Sequence, residues 1–177
     1  AGVAEGTTLT MLMETGDERA KSSAQLFQAN LAQIGITLNI EETDTATYAG
    51  MLYSDMPPEE RPNFMPWFWW PDYNDAWNHL YPQVSCNSQG SAGSNIGFYC
   101  NEQVDELLDA AANAVDDESY LSAIGKLQQM LSYDDPPWVY YVEPPWVVFQ
   151  RKDVEGISIN PINTGTYNFW AMQRTTG

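Results

Sequence analysis

Residues 7–41 constrain the fold more than any other stretch. Residues 7–13 alternate apolar with polar, as a strand with one buried face does. Thr15, Gly16 and Asp17 read as a turn, with Asp17 placed to cap a helix. From residue 18 to 34 apolar side chains recur at Ala20, Ala24, Phe27, Leu31 and Ile34, the three-and-four spacing of one helix face. Gly35 supplies a C-terminal stop. Residues 36–41 alternate again. Strand, helix and strand joined by short connections form a βαβ unit, which predicts parallel strands and a right-handed crossover.

The second constraint is residues 63–78, NFMPWFWWPDYNDAWN. This stretch holds Trp67, Trp69, Trp70 and Trp77, four of the seven tryptophans. The apolar run over 64–70 reads as a buried strand that stops at Pro71. The turn formers Asp72, Tyr73, Asn74 and Asp75 follow. In α/β sheets, ligands sit beyond the carboxyl ends of strands. The competing reading is packing alone, because aromatic clusters are commonly core and carboxylates after a strand are commonly turn formers or caps. Against it, four tryptophans in eleven residues exceed what one short strand buries on one face, and Asp72 directly follows the rings.

A length of 177 residues suits one domain with a real core, and a 44% hydrophobic content makes it globular. No apolar run reaches the roughly 20 residues a membrane-spanning helix needs. A first residue of Ala rather than Met fits a processed or excised chain. The balance of 24 acidic against 7 basic residues, net charge −17, argues against nucleic acid and against an anionic membrane surface. Cys86 and Cys100 flank a Gly/Ser/Asn-rich loop with almost nothing to hold it. A disulfide there would close a loop of about 15 residues, worth on the order of 3 kcal/mol. Two free thiols and half of a metal site are the alternatives. With His79 as the single histidine and no CxxC, no metal centre is expected.

The remaining elements follow in order. A short helix is expected over 45–53 with Thr45 as cap, then an acidic, proline-rich loop over 55–62. A helical piece is expected over 76–81. A helix over 101–115 would be capped by Asn101 and would bury Val104, Leu107, Leu108 and Ala111. A second, over 118–132, would bury Leu121, Ile124, Leu127, Gln128 and Leu131 before Asp134-Asp135-Pro136-Pro137 ends it. Runs at 138–142 and 146–150 read as strands, and 154–159 as a weaker one. The turn-rich tail from residue 162 carries Tyr167, Phe169 and Trp170, which need a surface to pack on. Neither a glycine-rich phosphate loop nor a serine nucleophile elbow occurs.

In this order the parts resemble the C-terminal lobe of bacterial extracellular solute-binding proteins of family 5, the dipeptide/oligopeptide type that serves ABC importers. Eight pieces carry the resemblance. They are the opening Thr-Leu-Thr, Gly-Asp-Glu-Arg at the helix start, LAQIGITLNIEETD, and the Trp-ended strand followed by Asp-Tyr-Asn-Asp. Phe-Tyr-Cys-Asn, QVDELLDAA, the helix into Asp-Asp-Pro-Pro and the final apolar runs with Arg-Lys-Asp-Val-Glu-Gly and Asn-Pro complete them.

The resemblance implies an α/β, type II periplasmic-binding-protein-like lobe, with a mixed sheet and flanking helices. Residues 1–177 would then be a single C-terminal lobe of a larger two-lobed protein, tail included. It implies a non-enzymatic, cofactor-free binding component, periplasmic or extracellular and lipid-anchored in some parents. The partners would be a small-molecule or peptide ligand, a membrane permease and the missing N-terminal lobe. It also implies roles. Asp72 takes the ligand's α-ammonium, and Trp69 flanks the ligand. Phe68, Trp69 and Trp70 offer backbone for pairing with an extended peptide, Tyr73 adjoins the acid, and Cys86 bonds to Cys100. Such a mode is physically sound, since backbone bonds ignore side-chain identity and a fixed carboxylate selects an amine.

Three departures stand out. Pro71 removes a backbone donor. No clear basic residue awaits the ligand's carboxylate, Arg61 being the nearest candidate. The extra rings Trp67, Trp70 and Trp77 suit sugar stacking, which makes an oligosaccharide the alternative ligand. A hydrolase using Asp72 and Asp75 as paired carboxylates is a further alternative, although such acids need roughly 5–9.5 Å of separation across a cleft.

Overall fold

The computed structural model describes residues 4, 6–141, 147–160 and 167–175. The chain divides into two compact units, residues 1–68 with 82–102 and residues 69–81 with 103–177.

The first unit is built on the expected βαβ. Strand β1 (Thr8–Glu14) and strand β2 (Thr37–Thr43) pair in parallel with Leu9 opposite Leu38 and Met11 opposite Ile40, and helix α1 (Glu18–Gln33) connects them. Asp17 caps α1 through Oδ1, which accepts from the Arg19 and Ala20 amides at 3.1 and 2.9 Å. Gly35 ends the connection at φ +78°, a left-handed conformation that glycine adopts without penalty.

The pleat sends successive side chains of β1 to opposite faces. Met13 clusters with Ala20 and Ala24 of α1, while Leu12 clusters with Tyr48 and Leu52 of helix α2 (Thr45–Leu52). Both faces of the strand are therefore covered. Two expectations for these helices are corrected. Asp44, not Thr45, caps α2, because its carboxylate is one residue further out and reaches the Ala46 and Thr47 amides at 3.0 and 3.1 Å. Ile34 follows the last helical turn and is exposed.

The run over 64–70 is not a strand. Phe64 alone joins the sheet beside Met11: its amide donates to Thr10 at 3.0 Å and its carbonyl accepts from Leu12 at 3.0 Å. Pro66, two residues on, has no N–H with which to continue the ladder. The chain beyond it is irregular, with Phe68 and Trp70 exposed. In the acidic segment before it, residues 58–60 make one 3-10 turn with Pro58 at its start.

The loop between the cysteines is held, contrary to expectation. The Cys86–Cys100 disulfide forms, which closes the thiol and metal alternatives. Inside it Asn95 is fully buried. Its amide donates to the Ser85 and Tyr99 carbonyls at 3.0 and 2.7 Å, and its oxygen accepts from the Tyr99 amide at 3.1 Å. Gln89 donates to the carbonyls of Phe98 and Tyr99. Asp55, read as merely solvated, anchors the loop from outside through Ser91, whose amide and hydroxyl donate at 2.9 and 2.8 Å and hold that carboxyl below its ordinary range.

In the second unit the helices buried as expected are α4 (Glu102–Ala112), through Val104, Leu108 and Ala111, and α5 (Asp117–Gln129), through Ile124 and Leu127. Leu107 is half-buried. The face of α5 is rotated from the expected one. Ala123 is buried, whereas Leu121 and Gln128 are exposed. A π turn over Met130–Asp134 follows and buries Leu131 just before the prolines.

Residues 138–141 and 147–150 are not strands, and the rest of those runs, 142–146, lies outside the described residues. Their apolar side chains Val139, Tyr141, Val147 and Phe149 are exposed, and no ladder partner adjoins them among the described residues. The weak strand survives as β3 (Val154–Glu155), paired antiparallel with β4 (Gln173–Arg174), and Ile159 bridges to Tyr167. Of the tail, 162–166 and 176–177 are outside the described residues, and Phe169 and Trp170 are exposed.

Candidate ligand-binding site

The candidate stretch passes from the first unit to the second between Phe68 and Trp69. On the first-unit side, Trp67 is packing. It lies against the Leu12–Tyr48–Leu52 cluster, meets Tyr53 edge-on at 5.7 Å and stacks on Phe68 at 5.8 Å. The Tyr48 hydroxyl donates to the Pro66 carbonyl, and burial pushes that phenol far above its ordinary range. The path of the run is thus fixed up to Phe68, whose ring is 58% exposed.

Arg61 is turned to its own loop. Its guanidinium donates to the Ser54 carbonyl, the Ser54 hydroxyl and the Leu52 carbonyl at 3.3, 3.1 and 3.2 Å, and lies 5.1 Å over the Phe98 ring. Partial burial lowers its pKa. Three of its five N–H donors are thus engaged, and Arg61 ties the end of α2 to its own loop.

On the second-unit side, helix α3 (Ala76–Val84) begins immediately after the turn and organises it. The expected piece at 76–81 is therefore present and longer. Asp75 is its cap: Oδ1 accepts from the Trp77 amide at 2.8 Å, and both oxygens accept from the Tyr120 hydroxyl of α5 at 2.9 Å. Burial, and after it the bond to Asp75, raise the Tyr120 phenol above its usual range. Trp77 donates its indole N–H to the Leu108 carbonyl of α4 at 3.1 Å and stacks on Tyr81 at 4.5 Å. Trp77, like Trp67, is therefore structural. Tyr120 had no mark in sequence, since it lies 45 residues from its partner. Replacing it with Phe removes the hydrogen bond shared by the two Asp75 oxygens, together with an acceptor for the Trp77 amide at 3.2 Å, and is expected to cost about 1.5 kcal/mol of stability, the scale of a hydrogen bond to a charged group. Chemical denaturation compared with the unsubstituted chain measures this, and a loss below about 0.5 kcal/mol would deny the clamp.

Asp72 is placed differently from Asp75. It is exposed, and among the described residues its carboxylate has no partner. Its backbone is fixed nonetheless. The side-chain oxygen of Asn78, a buried residue on α3, accepts from the Asp72 amide at 2.6 Å and from the Tyr73 amide at 3.3 Å. A carboxyl group without a partner among the described residues thus stands on a hydrogen-bonded turn. Tyr73 and Trp70 beside it are about half exposed. Trp69 is half-buried, and its buried indole nitrogen has no hydrogen-bond partner among the described residues. Asn78 was not legible as a site residue, its only signal being an amide among apolar neighbours on a short helix.

Comparison with known proteins identifies the class. Residues 1–91 match the family described as "Bacterial extracellular solute-binding proteins, family 5 Middle". The chain belongs to that family of solute-binding proteins, and its α/β architecture is that of type II periplasmic binding proteins. Among curated relatives, di/tripeptide-binding protein 2 of Pseudomonas aeruginosa (strain UCBPP-PA14) is 30% identical over 171 residues, covering 95% of this chain and 31% of the relative. Among solved structures, the dipeptide-binding protein of Pseudoalteromonas sp. SM9913 in complex with Met-Leu superposes with a TM-score of 0.73 at 22% identity, over 99% of this chain and 34% of that one. Clavulanic acid biosynthesis oligopeptide binding protein 2 gives a TM-score of 0.79 at 19% identity, over 96% and 31%. The chain spans about a third of the length of the relatives it matches. Among the described residues no helix is long and apolar enough to cross a membrane, and no cluster of three or more histidine, cysteine or acidic side chains is arranged to hold a metal ion.

Proposed function

We propose that this chain is the C-terminal lobe of a two-lobed ABC-importer binding protein that captures extracellular di- or oligopeptides and delivers them to a membrane permease. The parent works in the periplasm or outside the cell, with a lipid anchor on the missing N-terminal part in anchored forms. Asp72 receives the ligand's α-ammonium, Trp69 flanks the ligand and Tyr73 lines its approach. The main chain from Phe68 to Trp70 offers pairing to an extended peptide.

The observation that carries this reading is the division of labour between two neighbouring carboxylates. Asp75 is consumed by Tyr120 and the Trp77 amide, whereas Asp72 is fixed in place and its carboxylate has no partner among the described residues. A lone, positioned carboxylate suits an ammonium, whose recognition is a charge-assisted hydrogen bond. The same division weakens the hydrolase reading, which needs two available acids. The sugar reading loses Trp67 and Trp77, both engaged in packing, and the relatives named above are peptide binders.

A thermal-shift screen of the intact parent against dipeptides, tripeptides, N-acetylated peptides and oligosaccharides tests the proposal. At a hundredfold excess over the dissociation constant, a true ligand adds roughly 2.7 kcal/mol of stability by mass action. Stabilisation by free-amine peptides, with the peptide recovered unchanged, is the expected result. A response to oligosaccharides alone, or consumption of the ligand, would overturn it.

A further inference from the structure

The turn that carries Asp72 has an unusual supply of backbone donors. Pro71 has no N–H. The next two amides, Asp72 and Tyr73, both donate to the side-chain oxygen of Asn78, at 2.6 and 3.3 Å. Three consecutive residues therefore offer no free amide to anything outside the chain. The Tyr73 carbonyl is also taken, accepting from the Asp75 amide at 2.9 Å. An extended peptide pairing with the main chain up to Trp70 meets a closed turn at its next step. The exposed Asp72 carboxylate stands on that turn.

Asn78 is a poor choice for a helix interior on propensity alone. It is 5% exposed, so its polar atoms forgo water. The helix that holds it is fixed at its start by Asp75 with Tyr120 and by Trp77 with Leu108. A buried amide on a clamped helix, spending its oxygen on two amides six and five residues earlier, is an arrangement that orients what those amides carry.

We infer that Asn78 is a positioning residue for Asp72, and that its oxygen makes residues 71–73 a terminator at which a ligand's backbone pairing must end and its charged amine must begin. The inference rests on the assignment of Asp72 to the ligand's ammonium. Asn78 touches no ligand. It acts by holding the carboxylate and by removing the donors with which a blocked or longer amino end would continue pairing.

The test compares the intact parent with Asn78→Ala, Asn78→Asp and Asp72→Asn, titrating each with Met-Leu and N-acetyl-Met-Leu by calorimetry. The readout is the ratio of the two affinities, which a merely structural weakening would leave unchanged. Asn78→Ala is expected to reduce the preference for the free amine about tenfold or more while affinity for the acetylated peptide holds. Asn78→Asp keeps an acceptor oxygen in place and is expected to restore the preference. An unchanged ratio in Asn78→Ala, with Asp72→Asn losing it, overturns this inference and leaves Asp72 standing. No free-amine preference in the unsubstituted protein, or no effect of Asp72→Asn, overturns both. Should Asn78→Ala fail to fold, amide hydrogen exchange in the unsubstituted protein decides. Protection of the Asp72 and Tyr73 amides supports the terminator, and exchange at the unfolded rate refutes it.

Discussion

Asp72→Asn in the intact parent is expected to weaken binding of a free-amine dipeptide by at least a hundredfold, within the range of about 2–5 kcal/mol that loss of one partner from a desolvated charge pair costs. Asparagine is isosteric and leaves both Asn78 bonds to the turn in place, since those bonds come from the backbone. The wild-type carboxylate is exposed and without a partner among the described residues, so the ligand-free protein should melt within about a degree of wild type. Separating the two effects requires calorimetry for affinity and scanning calorimetry for the apo protein. Equal affinity for the two proteins would remove Asp72 from the site. A large drop in apo stability would make it a structural acid like Asp75.

The second large effect is expected at Cys86 and Cys100. The bond spans a sequence separation of 14, for which the chain-entropy account gives on the order of 3 kcal/mol. Replacing both cysteines with serine should lower the denaturant midpoint accordingly. The loop should nevertheless keep its native path, because Asn95 and Gln89 hold it through five hydrogen bonds to backbone. Amide exchange in the 86–100 loop should then stay slow under native conditions even as global stability falls. A loss under about 1 kcal/mol would mean that the unfolded chain gains little freedom on reduction. Collapse of loop protection would mean that Asn95 depends on the bond rather than supporting it.

These cases show where sequence is informative. The βαβ unit was legible because each of its signals is local: alternation at residues 8–14, three-and-four spacing along α1, Asp17 at one end and Gly35 at the other. The run over 64–70 was misread because composition outweighed one residue, Pro66, whose missing donor ends the ladder after Phe64. The face of α5 was misplaced because Leu121 drew the stripe toward itself, while the small Ala123 marks the buried side. The runs at 138–141 and 147–150 have strand composition but no ladder among the described residues, and composition alone cannot supply one.

Within the candidate site, sequence named the acid but not what holds it. Tyr120 and Asn78 act through tertiary contacts, one from a distant helix and the other from the next element. Neither residue type is distinctive where it stands. Likewise Asn95 sits in a Gly/Ser-rich loop with no periodicity to mark it, yet it organises that loop.

The turning of the Arg61 guanidinium to its own loop has a consequence for how ligand length would be measured. Under the proposed reading this chain marks the zero of a ruler, the amino end, at Asp72. Arg61 is a poor far mark, because Ser54 and Leu52 already hold three of its donors. Choice of amine and choice of length would then be separate instruments. Substitutions elsewhere in the parent could move the accepted length from two residues to several while the zero mark stays where it is.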